Sequence, residues 1–188
     1  QGKLIADNGF PVFSSEEIDA FRLGVIGEAG EEEYLANGGF DASYTLGNPV
    51  RFRLNFFTSL NGPGLAVRPI LSGDGLFFEE LNLPALLGDI CSVQHGLILI
   101  TGSTGCGKST TLAAMINHIN MHSARHILTI EDPVEFVHTD RESIVTQREV
   151  SGANGGYPHA LKLALRETPD DIVIGELRDA ATVQVAFA

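Results

Sequence analysis

The stretch Gly102-Ser103-Thr104-Gly105-Cys106-Gly107-Lys108-Ser109 constrains this chain more than any other. It is a G-x-x-x-x-G-K-[ST] octet entered from the apolar run Leu97-Ile98-Leu99-Ile100, which reads as a strand, and the pattern from Thr110 to about His122 predicts a helix behind it. Three glycines let backbone N–H groups crowd round phosphate oxygens. Lys108 offers a point charge to β- and γ-phosphates, the Ser109 hydroxyl can ligate Mg²⁺, and the helix adds the positive end of its dipole. Gly102, Ser103, Thr104, Gly105, Cys106, Gly107, Lys108, Ser109 and Thr110 are thus the expected contacts of ATP with its Mg²⁺. A glycine-rich turn with a stray lysine would need neither the strand before nor the helix after.

Composition narrows the setting. The 188 residues can hold one ordinary domain or two small ones and are 44% hydrophobic, enough to bury a core. Twelve basic against 24 acidic residues leave a net charge of −12, which argues against stable nucleic-acid binding. Cys91 and Cys106 lie far apart, one of them inside the phosphate loop, and read as free thiols of a reducing compartment. No apolar run approaches the length of a membrane span, and a cytoplasmic protein, at most peripheral to a membrane, is expected. The chain starts without Met and stops as a helical pattern begins after Asp179, so it reads as a piece of a longer protein.

In chain order, a short apolar stretch over residues 3–13 precedes Ser14-Ser15-Glu16-Glu17, a capping box that opens a helix. Ile18, Phe21, Arg22, Val25, Ile26 and Ala29 keep its inner stripe, and Glu28 with Glu31 to Glu33 read as a solvated face. From Gly38 the period becomes two. Strands are expected at 40–45, 50–57 and 65–70, with turns at Gly47-Asn48-Pro49 and Asn61-Gly62-Pro63-Gly64, giving an antiparallel meander behind a helix. Arg51, Arg53 and Arg68 gather on these strands, and two readings stand: ion pairs with the acidic helix, or guanidinium groups presented to a phosphate.

Ser72-Gly73-Asp74-Gly75 looks like a domain boundary, placing one domain at 1–72 and an α/β domain at 73–188. In the second, helices are expected at about 84–91 and 157–167, the latter carrying Arg166, and strands at 126–130, near 143–148 and at 172–174, with a glycine-rich loop over 151–156. Leu112, Ala113, Ile116 and Ile119 give the helix behind the phosphate loop its buried face. His118 and His122 stand four apart on it, a spacing that suits a metal, but no third ligand accompanies them and solvated histidines are the favoured reading.

ATP hydrolysis also needs carboxylates for metal and water, and cations for transition-state charge. Glu131, Asp132 and Glu135 follow one strand, and Glu176 follows another. Arg166 and Arg178 join the N-terminal arginines as possible fingers. Gly175 stands where a metal-binding aspartate would end the strand, and Asp170 and Asp171 precede it, at its other end. Glu176 reads either as the catalytic or water-orienting carboxylate or as a structural partner of Arg178.

The segments from Gly96 to Ile116, Thr129 to His138 and Leu165 to Asp179 resemble the secretion ATPases of type II and type IV systems, with the pilus-retraction ATPases nearest. Phe40 to Tyr44, Arg51 to Asn55 and Gly62 to Arg68 resemble that family's N-terminal PAS-like domain. The resemblance implies an α/β fold, a truncated RecA-like P-loop core behind a small α+β PAS-like domain, and a homohexameric ring at the inner membrane docked on a platform protein. It implies that Glu135 belongs to the aspartate box, that Glu176 belongs to an atypical Walker B, and that Arg51, Arg53 and Arg68 reach the nucleotide. Cys106, Thr168 and Asp171 depart from the family's usual serine, aspartate and valine. The family's histidine box and C-terminal helical domain lie outside this sequence.

Overall fold

In the computed structural model, which describes residues 9, 11–47, 50–150 and 155–187, the chain divides into two compact units, Gln1–Pro69 and Ile70–Ala188. The expected apolar stretch at 3–13, the turn at Asn48-Pro49 and most of the glycine-rich loop at 151–156 fall wholly or partly outside the described residues.

Helix α1 (Ser15–Asn37) opens on the capping box: Ser14 Oγ accepts from Glu17 N, and Glu17 Oε2 accepts from Ser14 N at 2.7 Å. Gly38 closes it in the left-handed region at φ 73°. The helix breaks at Gly27 (φ 65°, ψ −175°), a bend that glycine permits and that the apolar stripe did not disclose. Strands β1 (Gly39–Leu46) and β2 (Val50–Ser59) pair antiparallel, with β3 (Gly62–Ser72) next in order. Register gives the two faces different chemistry. Phe40, Ala42 and Tyr44 oppose Phe56, Leu54 and Phe52 on the core face, joined by Tyr34, Val25 and Ile26 of α1. Asp41, Ser43 and Thr45 oppose Asn55, Arg53 and Arg51 on the polar face.

The acidic run of α1 departs from expectation at Glu31. Arg22 is buried, donates to both Glu31 oxygens at 2.7 and 2.8 Å and to Asp19, and lies 4.0 Å over the Tyr34 ring. A buried guanidinium left without a partner would be costly, and Glu31, beyond the break at Gly27, supplies one. The pairing holds the Glu31 carboxyl below its ordinary value, chiefly through the hydrogen bond from Arg22.

The second unit holds a parallel three-stranded sheet, β6-β4-β7, with β4 (His126–Glu131) between β6 (Ile144–Glu149) and β7 (Asp171–Ile174). Ile127, Leu128, Thr129 and Ile130 are fully buried, as a central parallel strand requires. Helix α4 (Gly156–Ala164) packs Ala160, Leu161 and Ala164 against Leu128 and Ile130. Helix α3 (Lys108–His122) packs Ala114 and Met115 against Phe78 and Cys91, the latter ending α2 (Leu86–Cys91). A short strand β5 (Phe136–Val137), unforeseen from sequence, pairs in parallel with Leu71 and Ser72, so the expected meander ends in a parallel pair. Helix α5 is Ala180–Ala186, capped by Asp179, whose side chain accepts from Thr182 N at 2.7 Å.

Several expectations need correction. Residues 97–100 form no strand, and Leu97, Ile98 and Leu99 are 46 to 59% exposed. An apolar run becomes a strand only where a neighbour takes its backbone hydrogen bonds, and β4, β6 and β7 pair with one another instead. Ile100 alone of the run packs against the α3 cluster. The helix expected to Glu167 ends at Ala164, leaving Arg166 beyond it, because Thr168 turns left-handed (φ 50°) ahead of Pro169. On α3 the buried face is Ala113 to Asn117 and Asn120, with Leu112 and Ile119 half-buried. No described helix is long and apolar enough to cross a membrane.

Candidate nucleotide site

Gly102, Gly105 and Gly107 all take left-handed backbone angles, φ 156°, 77° and 98°, which is why glycine recurs at this spacing. A side chain at Gly102 would also meet Cys106 Sγ at 2.6 Å. The loop runs into α3 at Lys108, and Lys108 Nζ donates to the carbonyls of Gly102 and Ser103, each at 2.9 Å. The ammonium therefore bridges the two loop carbonyls with charge-assisted hydrogen bonds. Cys106 is exposed and free, and Cys91 is buried and free, its thiol pushed up to about 11, mainly by burial.

A second group of residues gathers where β4 and β7 end. Gly175 N donates to Ile130 O at 2.8 Å, and a Cβ built on Gly175 would stand 3.3 Å from the Tyr157 hydroxyl and 3.4 Å from both Glu131 Cα and Ile130 O. This crowding gives a reason for glycine where an aspartate was looked for: the β7 end lies against the β4 backbone and has little room for a side chain. Burial, and after it the charges of Glu176, Asp132 and Glu131, push the Tyr157 hydroxyl above its ordinary pKa. Glu176 accepts from Arg178 Nε at 2.8 Å. Of the two sequence readings of Glu176, the structure bears on the second: the carboxylate, just past the strand end, is held by Arg178.

Glu131 is drawn inward. Its Oε1 accepts from Thr129 Oγ1 at 2.7 Å and Gln147 Nε2 at 3.3 Å, and burial nonetheless lifts its pKa above the ordinary value. Gln147 also donates to Phe136 O and accepts from His138 N, tying β6 to the segment after the acidic cluster. Sequence reasoning passed over Thr129, Gln147 and Tyr157, and a clue existed for two of them. Thr129 and Gln147 are register partners near the carboxyl ends of adjacent parallel strands, polar where apolar residues would pack. Asp132 and Glu135 are exposed.

For Mg²⁺ the fit rests on Ser109, exposed on the first turn of α3, and on the open carboxylate of Asp132, beside the more enclosed Glu131. Among the described residues no three His, Cys, Asp or Glu side chains form a ligand cluster. Mg²⁺ at a phosphate site keeps waters and phosphate oxygens and needs only one or two protein ligands, so a hydroxyl and a carboxylate suit it without a protein cage. Among the described residues no ion pair joins Lys108 to these carboxylates.

Arg51 donates to Ser43 Oγ at 2.9 Å, Arg53 pairs with Asp41 at 3.5 Å, and Arg68 is exposed; the acidic helix pairs with its own Arg22. His118 and His122 are not simply solvated either. His118 stacks on Phe78 at 4.9 Å and lies 4.4 Å from the His122 ring, and burial lowers its pKa. Asp171, the charge expected at the strand mouth, is met by Arg125 at 3.3 Å, while Asp170 accepts from His126 N at 2.8 Å, both at the end of β7 opposite the acidic cluster.

Known proteins carry the same organisation. The profile of the type II/IV secretion system protein family matches residues 36–188. The chain is 44% identical to a twitching motility protein of Neisseria gonorrhoeae, over 94% of this chain and 47% of that protein. It is 45% identical to the type IV pilus retraction ATPase PilT of Pseudomonas aeruginosa, over 83% of this chain and 44% of the relative. The crystal structure of the pilus retraction motor PilT with bound ADP superposes with a TM-score of 0.81 at 41% identity, covering 89% of this chain and 49% of that one. The ATPase DotB of Legionella pneumophila gives 0.78 at 29% identity, covering 94% and 51%. The chain thus spans about half the length of the relatives it matches. With an α/β fold, a glycine phosphate loop and carboxylates at two strand ends, it belongs to the type II/IV secretion system protein family.

Proposed function

We propose that this chain is the nucleotide-binding part of a ring motor that hydrolyses ATP to power type IV pilus retraction or type II/IV secretion. The observation that carries the reading is that one unit holds both a left-handed glycine loop opening α3 and the carboxylates gathered at the ends of β4 and β7. Residues 102–110 cradle the phosphates, and Lys108 moves from its loop carbonyls to the β- and γ-phosphates. Ser109, Glu131 and Asp132 would hold Mg²⁺, which when bound neutralises phosphate charge. Glu176 and Glu135 orient the attacking water and take its proton.

In this reading residues 1–72 are a PAS-like domain and 73–188 a RecA-like P-loop domain, and Arg51, Arg53 and Arg68 bind nucleotide phosphate. Six copies form the ring, which works in the cytoplasm against an inner-membrane platform protein. The relatives named for twitching motility and pilus retraction support this assignment. The test is phosphate release by the full-length protein that carries this sequence. Lys108→Ala is expected to lower turnover at least about 100-fold, because a charged phosphate contact made in the transition state is lost. Turnover unchanged by the substitution overturns the reading, and nucleotide binding without turnover in the unaltered protein assigns it instead to a regulatory ring subunit.

A further inference from the structure

His118 and His122 stand one turn apart at the carboxyl end of α3, a spacing that sets both rings on one side of the helix. The ring centroids are 4.4 Å apart, with the planes tilted by 32°. Phe78 stacks on His118 at 4.9 Å, and His122 Nδ1 lies 2.8 Å from His118 O. Each of these contacts could be met by another residue: a leucine would pack on Phe78, and a lysine would serve the last carbonyls of the helix. The pairing of two imidazoles is therefore left to explain.

The partners of the ring nitrogens say what the pair can do. A carbonyl oxygen only accepts, so His122 Nδ1 carries a proton, and in the neutral ring Nε2 presents a lone pair. That is the arrangement of a metal-ligating histidine, whose second nitrogen donates to a backbone carbonyl or carboxylate. Among the described residues neither ring nitrogen of His118 has a hydrogen-bond partner, nor has Nε2 of His122. Gly88, inside α2, adds no side chain beside His118: a Cβ built there would stand 3.4 Å from its Nε2. Both histidines border a cavity of about 250 Å³, whose wall also holds Phe77, Met121 and the exposed Glu79.

We propose that His118 and His122 together bind a borderline divalent transition-metal ion such as Zn²⁺, the two imidazoles giving two nitrogen ligands and water the remaining positions. Two nitrogens on one tetrahedral ion stand about 3.3 Å apart when the bonds are about 2.0 Å, a span that rings 4.4 Å apart reach by small side-chain rotations. Among the described residues no three His, Cys, Asp or Glu side chains form a ligand cluster, so the site is a two-residue clip and not a closed cage. Imidazole suits Zn²⁺, Ni²⁺ and Cu²⁺, whereas Mg²⁺ takes oxygen ligands. The clip thus differs in chemistry from the phosphate loop at the opposite end of the same helix. Glu79 adds negative charge to the cavity wall, and the bound ion ties the last turn of α3 across four residues. The inference is independent of the hydrolytic reading.

The experiment titrates Zn²⁺ into the full-length protein that carries this sequence, without nucleotide and in excess Mg²⁺, and reads binding by competition with a chromogenic chelator. Two conservative variants are compared with it. His118→Phe keeps a flat ring against Phe78, and His122→Gln alters only the exposed last turn, so their thermal midpoints without Zn²⁺ should match the unaltered protein. The expected result is one Zn²⁺ per chain whose affinity falls at least about 10-fold in each variant, since a single imidazole remains. Zn²⁺ should also raise the midpoint of the unaltered protein and not that of the variants. If His118→Phe melts early, His122→Gln decides alone. Absence of Zn²⁺ binding overturns the inference. So does Zn²⁺ held equally well by His122→Gln, as an ion on the exposed Cys106 thiol would be, or a loss confined to one of two well-folded variants.

Discussion

Buried polar groups are handled differently in the two units. In the first, each is closed within the fold: Arg22 has Asp19, Glu31 and the Tyr34 ring, and the Tyr34 hydroxyl pairs with Thr58 Oγ1 at 2.8 Å. In the second, some are closed in the same way. Asn120 donates to Thr139 O and accepts from Arg141 N, and Arg125 meets Asp171. One is not: among the described residues the buried Nδ1 of His138 has no hydrogen-bond partner, while Tyr157 is only half-buried and the Lys108 ammonium rests on two loop carbonyls nearer the surface. Stability alone favours the first pattern, since an unpaired buried polar atom costs free energy and a paired one does not. The departure among the described residues, His138, lies in the second unit, with its ring against Gly73.

The contrast can be broken where it is sharpest. Arg22→Ala should destabilise the first unit by about 2–3 kcal/mol, less than for a fully enclosed pair because Asp19 stays partly in water. A denaturation midpoint unchanged by that substitution would show that the arginine holds nothing in place. Ser14→Ala removes half of the capping box and should cost about 1 kcal/mol, read as a lower thermal midpoint with the same unfolded baseline.

A smaller, pH-dependent effect tests the open group. His138 is 7% exposed, its ring lies against Gly73, and burial lowers its pKa from the ordinary 6.5, opposed by Asp74. A base whose folded pKa is depressed contributes stability that is present above its unfolded value and lost as pH falls through the folded one. The protein should therefore lose stability as pH drops below about 6.5. His138→Phe keeps a flat ring over Gly73 and should flatten that part of the pH profile, measured by urea midpoints at matched ionic strength. An identical slope in both proteins would place the acid sensitivity elsewhere.

Much of the fold was legible because its signals are local. The capping box, the alternation of β2 and the glycines of the phosphate loop each depend on residues within a few positions, and each appears at the expected place. The errors have a common cause. Whether Leu97 to Ile100 becomes a strand depends on a neighbour, and whether Glu31 is solvated depends on a guanidinium nine positions away across a helical break.

The sequence by itself determined the chemistry available: a phosphate loop with its lysine and serine, carboxylates after two apolar strands, arginines on a polar strand face, and a net charge of −12. Tertiary structure decided which of these groups meet. It drew Glu131 inward onto Thr129 and Gln147, put Arg178 on Glu176, and set the Tyr157 hydroxyl over Gly175. The physical reason is that residue type and spacing fix what a side chain can donate, accept or ionise, whereas parallel pairing brings together strand ends more than 40 positions apart, as Ile130 and Ile174 are. No local pattern records that meeting, and the chemistry of the site depends on it.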